Sequence, residues 1–98
     1  MKLSSWDTTF VRCWMEALKA ATKFQRHVPI AEHLPFLALG LFKTATDTSN
    51  EYTAESLFFS EYFKLREQGV LEKAVGKNYY VAKKDLDLSS SYPVKPLL

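Results

Sequence analysis

Between Asp7 and His27 the apolar residues Phe10, Trp14, Leu18 (or Ala17), Ala21 and Phe24 recur at three- and four-residue steps, the spacing of one helix face. Asp7 suits the N-cap of that helix, and Arg26 with His27 suits the negative end of its dipole. Pro29 then breaks the chain, because proline disfavours helical backbone in the residue before it. A second helix is expected from about Ala31 to about Ala45, with an equal claim for a start nearer His33, since Pro35 fits only in a first turn. Nearly every residue from Leu34 to Phe42 is apolar, so protein should surround this helix on most sides. Gly40 costs it about 1 kcal/mol relative to alanine, a cost that suits close approach of a neighbouring helix.

The polar stretch "KTATDTSNEYT", Lys43 to Thr53, reads as a connection, because Thr, Ser, Asp and Asn side chains compete for backbone hydrogen bonds; it leaves room for a short strand at Glu51–Thr53. A third helix follows, with Thr53 as N-cap and Glu55 near the positive end of the dipole. It ends at Gln68, where Gly69 can turn left-handed and Val70 can fold back on Leu65. Two β-rich runs, "VLEKA" and "YYVAK", then flank "VGKN", whose Gly76 and Asn78 carry hairpin-turn chemistry. "DLSSSYPVKPLL" has no period. The expected organisation is therefore a domain over residues 1–86 and an extended or disordered tail over 87–98.

Composition narrows the class. Ninety-eight residues with 47% hydrophobic and 14% aromatic side chains form one folded domain rather than a disordered chain. The net charge of +2 carries no electrostatic argument alone, so only local clusters matter. The single cysteine, Cys13, and an N-terminus "MKLSSWDTTF" without an apolar signal core read as intracellular, that is cytoplasmic. The longest apolar run, Leu34–Phe42, falls far short of the roughly 20 residues that span a bilayer, so no membrane partner is expected.

Candidate chemistry is sparse. Cys13, His27, Glu32 and His33 are metal-capable types without the pair spacing of a zinc motif. The three glycines build no phosphate-cradling loop, and no nucleophile elbow, cysteine pair or carboxylate dyad is present. An enzyme is not expected, nor any cofactor or metal. Trp6 and Trp14 read as core anchors.

The segment "YFKLREQGVLEK" places an apolar residue, another three later, and a glycine four beyond that, ahead of a short strand: Tyr62, Leu65, Gly69 and Val70. In this it resembles the winged helix-turn-helix superfamily, most closely over residues 54–84, whereas Asp7–Ala45 match in element order only. The resemblance implies a mainly α fold of three helices plus a β-hairpin wing. It also implies a third helix presented to the major groove and a wing laid along the DNA backbone. Two features depart from that pattern: a long apolar second helix, and a long connection where a tight turn is expected.

With Phe58, Tyr62 and Leu65 inward, the outer face of the third helix carries Glu55, Ser56, Phe59, Ser60, Phe63 and Glu67. Base readout wants Arg, Lys, Asn or Gln, and carboxylates repel phosphates, so this face suits DNA poorly. The wing differs, with Lys73, Lys77, Lys83 and Lys84 and Asn78 at its turn against the single acid Glu72; it suits phosphate contact, or equally protects an edge strand. A second basic set, Arg12, Lys19, Lys23 and Arg26, lies along the first helix, where a solvated face is the ordinary reading. Phe59 and Phe63 stand one turn apart. Either they meet a partner, or the Lys43–Thr53 loop or the tail with Tyr92, Leu97 and Leu98 covers them.

Two functions follow as expectations. The first is a small DNA-binding winged-helix protein, a transcriptional regulator or replication accessory factor of mobile-element type, acting on duplex DNA as a homodimer. The second is a winged-helix protein–protein interaction module, an inhibitor or adaptor that uses the aromatic and acidic third helix to bind a protein partner.

Overall fold

A computed structural model describes residues 3–24, 28–48 and 50–97, with Glu51 by its backbone alone. Polar side chains set where two of its three helices begin. Ser4 Oγ accepts the Asp7 N–H at 3.1 Å and opens α1 (Ser5–Lys23). The cap is thus Ser4 and not Asp7, whose carboxylate sits in the first turn; Arg26 and His27 lie outside the described residues. Asn50 Oδ1 accepts the Thr53 N–H at 3.0 Å and opens α3 (Glu51–Glu67). Thr53 is therefore inside the helix, residues 51–53 are helical rather than a strand, and the connection shortens to residues 46–50.

Between them, α2 (Ile30–Ala45) follows Pro29 and runs through Pro35, which lies in its second turn rather than its first. A proline there removes the N–H that would bond the Ala31 carbonyl. Burial of Leu34, Ala38, Leu41 and Phe42 outweighs that loss. Glu32, Phe36, Gly40 and Thr44 form an open stripe at four-residue steps, so protein does not surround α2 on most sides. Nothing approaches within 4 Å of where a Gly40 Cβ would stand, so close helix approach is not the reason for this glycine.

The end of α3 does follow the expected pattern. Gly69 takes φ 76°, its N–H bonds the Arg66 carbonyl at 3.1 Å, and the Val70 N–H reaches the Leu65 carbonyl at 3.0 Å. Val70 and Leu65 are both fully buried beneath that turn. The chain thereby enters β1 (Leu71–Lys73), which pairs antiparallel with β2 (Tyr80–Ala82) in the register Leu71 with Ala82 and Lys73 with Tyr80. The molecule is mainly helical with one small two-stranded sheet.

Phe10 stands at the centre of the core. Its ring lies 5.7 Å from Trp14, 4.9 Å from Phe58 and 5.8 Å from Phe42, which joins all three helices through aromatic contacts. Trp14 also donates its indole N–H to the Tyr80 carbonyl at 2.8 Å, fixing the hairpin to α1. Trp6 meets Phe42 edge-on at the side of this cluster. After β2 the described residues form no regular element, but the chain returns along α1. There the Tyr92 N–H bonds Thr9 Oγ1 and the Leu97 N–H bonds Glu16 Oε1, each at 2.8 Å. Leu86, Leu88 and Val94 rest half-buried against the core. Among the described residues no helix is long and apolar enough to cross a membrane.

Candidate interaction surface

The buried stripe of α3 is Ala54, Phe58, Glu61 and Leu65. Its opposite face then presents Glu55, Ser56, Phe59, Ser60, Phe63 and Glu67 to solvent, all exposed. Glu55, Phe59, Phe63 and Glu67 follow one another at four-residue steps, so they form a continuous ridge with an aromatic centre and acidic ends. Phe59 is 42% and Phe63 56% exposed. The described part of the tail runs along α1 instead, with Tyr92 and Leu97 there; Ser49 of the connection and Leu98 of the tail lie outside the described residues.

The two bases of α3 both have partners in the same chain, although Lys64 stays exposed. Lys64 Nζ donates to Asp7 Oδ1 at 2.8 Å and contacts Glu61 Oε1 at 3.1 Å. Arg66 Nη2 donates to the Tyr80 hydroxyl at 2.7 Å, and its guanidinium lies 4.2 Å from the Tyr80 ring centre and 5.3 Å from that of Tyr62. Each side chain has its planar or ionic partners already, and the Arg66 guanidinium also lies 5.6 Å from the Phe63 ring centre, at the edge of the ridge.

Sequence reasoning overlooked Glu61. It is only 5% exposed, and its Oε2 is buried without a hydrogen-bond partner. Burial, and then the neighbouring Asp7 carboxylate, push its carboxyl up to about 7, with Lys64 opposing. Burial also acts to raise Asp7, but the hydrogen bonds from Glu61 and Lys64 outweigh it and hold this carboxyl below its ordinary value. Contact with Asp7, despite partial burial, raises Lys64. The signal was present in the spacing, since Glu61 falls three residues after Phe58 and four before Leu65, on the inward stripe.

The other candidate residues lie on the hairpin, whose Tyr80 borders the Phe63 and Glu67 end of the ridge. Lys73, Lys77, Asn78, Lys83 and Lys84 are all exposed. The Lys77 N–H bonds the Ala74 carbonyl at 3.1 Å, closing a turn whose third residue, Gly76, has φ 71°, as a type II turn requires. Val75 occupies the tip, 98% exposed. On the first helix Arg12, Lys19 and Lys23 are exposed, and Arg26 lies outside the described residues. Cys13 is fully buried and its thiol is pushed up to about 12 by that burial, which leaves it protonated and unreactive at neutral pH. No group of three metal-ligating side chains occurs among the described residues.

No family model, curated protein or solved structure matches the chain. What can be said of its class comes from its own residues: a three-helix domain with a two-stranded hairpin, an aromatic ridge on α3 and lysines on the hairpin.

Proposed function

We propose that this is a winged-helix protein-interaction module, in which α3 docks the ridge Glu55–Phe59–Phe63–Glu67 into an apolar groove with basic edges on a partner. The single observation that supports this most is the exposure of Phe59 and Phe63 on a helix whose only cations, Lys64 and Arg66, already have partners in the same chain, Lys64 with Asp7 and Glu61, and Arg66 with Tyr80 and the ring of Phe63 itself. A helix that entered a DNA groove would need those cations, or amides, on the outer face, and would bring no carboxylates to the phosphates. An aromatic pair one turn apart is instead what a helix-in-groove contact uses for its anchors, and flanking acids select a basic rim.

A direct test is fluorescence anisotropy of a labelled helical peptide built of leucine and lysine, titrated with the protein. Saturable binding that weakens at least about tenfold in the Phe59→Ser, Phe63→Ser double variant is expected. Equal binding by both proteins would remove the ridge from the account.

The hairpin favours a second reading, a DNA-binding winged-helix regulator or replication factor acting on duplex DNA as a homodimer. It rests on Lys73, Lys77, Lys83 and Lys84 and Asn78 being exposed together on one small element. Anisotropy of mixed-sequence duplex DNA should then show micromolar binding that falls steeply with salt and is lost when the four lysines become glutamates. Unchanged affinity in that variant would sink this reading.

A further inference from the structure

Phe10 and Trp14 of α1 face Phe58 of α3 across the core, so the outer faces of the two helices look away from each other. On the outer face of α1, Met15 lies exposed beside a depression of about 600 Å³ formed with β2 and the start of the tail. Leu18, Val81, Leu86 and Leu88 line it with Met15. A second depression of about 370 Å³ shares Met15 and Leu88 and extends the trough to Val94. The walls are apolar and the edges basic: Arg12, Lys19, Lys83 and Lys84.

Two acids also border the trough, Glu16 and Asp85, and Glu16 already accepts the Leu97 N–H. The cations therefore dominate. Folding has joined part of the first helix's basic set to the last two lysines of the wing, which the linear sequence keeps more than sixty positions apart.

We propose that this chain assembles head to tail, the Glu55–Phe59–Phe63–Glu67 ridge of one copy lying in the trough between α1, β2 and the tail of the next. Resting on the reading of α3 as a docking helix, this arrangement gives the ridge its partner. The complementarity has three parts. The ridge is convex and the trough concave; each is apolar at its middle; and the ends of the ridge are acidic where the edges of the trough are basic. The dimensions agree, because Glu55 and Glu67 are about 18 Å apart along a helix, and Arg12 to Lys19 rises about 10 Å before the hairpin lysines extend the far edge.

The alternative of two ridges packed on each other about a two-fold axis is disfavoured by charge. Antiparallel pairing of Phe59 with the copy's Phe63 would set Glu55 against the copy's Glu67, carboxylate to carboxylate. A ridge-to-trough contact is heterologous and leaves a free ridge and a free trough on every assembly, so growth continues until a ring closes.

Sedimentation of the full chain tests this. The wild-type mass should rise with concentration above the 11.3 kDa of one chain, and added salt should reverse the rise. Two variants, Phe59→Ser with Phe63→Ser, and Lys19→Glu with Lys83→Glu and Lys84→Glu, should each stay at one chain mass while keeping the wild-type circular dichroism. Mixed in equal amounts, they should form a species of twice that mass and no larger, because one supplies the only intact trough and the other the only intact ridge. A mixture that stays monomeric while wild type associates would overturn the arrangement. A wild type that is monomeric at about 1 mM, where contacts worth only about 4 kcal/mol would show, overturns it also. In that case leucine–lysine peptide binding at the ridge still decides the docking reading of α3 by itself.

Discussion

Phe58 and Phe59 are adjacent in sequence and alike in chemistry, yet Phe58 has no exposed surface and touches Phe10, Trp14 and Phe42, while Phe59 is 42% exposed and its ring meets that of Phe58 edge-on. One step along a helix rotates a side chain by about 100°, which is enough to carry it from the core to solvent. The inner face of α3 is therefore under packing constraint. Its outer face is not, so the aromatic residues there require a reason other than the fold.

The largest expected effect tests that division. Phe58→Ala should lower the unfolding free energy by about 3–5 kcal/mol, a cavity-forming truncation, whereas Phe59→Ala with Phe63→Ala should cost less than about 1 kcal/mol by urea denaturation. A loss of several kcal/mol from the outer pair would make Phe59 and Phe63 core residues and end their role as a docking ridge.

A second contrast lies within the inner stripe, where Glu61 interrupts the apolar residues. In the folded chain Glu61 keeps its proton up to about 7, while in the unfolded chain it releases it near 4.5. The folded state therefore binds more protons between those values, and stability falls as pH rises through that window. Asp7 acts in the opposite sense, since its lowered carboxyl stabilises above the unfolded value and loses that contribution only as pH falls below 3.8. Glu61→Gln should remove the decline between about pH 5 and about pH 8, leaving the variant about 1–2 kcal/mol more stable than wild type at the upper end. Parallel curves for the two proteins would mean that Glu61 is ionised in the folded state.

A smaller effect separates the helix end from the hairpin tip. Gly69 closes α3 at φ 76° above two buried residues, so Gly69→Ala should cost about 1 kcal/mol. Lys77→Glu at the exposed tip should change stability by less than about 0.5 kcal/mol. Equal costs would place the hairpin tip under a packing constraint that its exposure does not suggest.

The parts legible in the sequence were those governed by period and by glycine. Phe10 and Trp14 marked the inner face of α1, and Gly69 with Val70 marked the end of α3. The helix starts were misplaced because serine and asparagine caps lay a few residues ahead of the chosen Asp7 and Thr53, in stretches where several residues could cap equally well. Pro35 was misjudged because its local cost is visible in the sequence and the burial of Leu34 and Ala38 that offsets it is not. The six outer residues of α3 were found by elimination once the inner stripe was set. Glu61 was missed since a carboxylate on an apolar stripe reads as solvent-facing until Asp7, far away in the sequence, and Lys64, three residues on, are brought beside it. The trough was beyond reach for the same reason, being made from α1, β2 and a tail with no periodic signal.

The most direct test of the central claim, that the outer face of α3 meets protein and not DNA, is a pair of amide NMR titrations of the labelled chain. One uses the leucine–lysine peptide and the other mixed-sequence duplex DNA. The account predicts that the peptide shifts the signals of residues 55–67, centred on Phe59 and Phe63, and that any DNA-induced shifts stay on the hairpin around Lys73, Lys77 and Lys83. DNA shifts spread along residues 55–67, with the peptide leaving them unmoved, would contradict it.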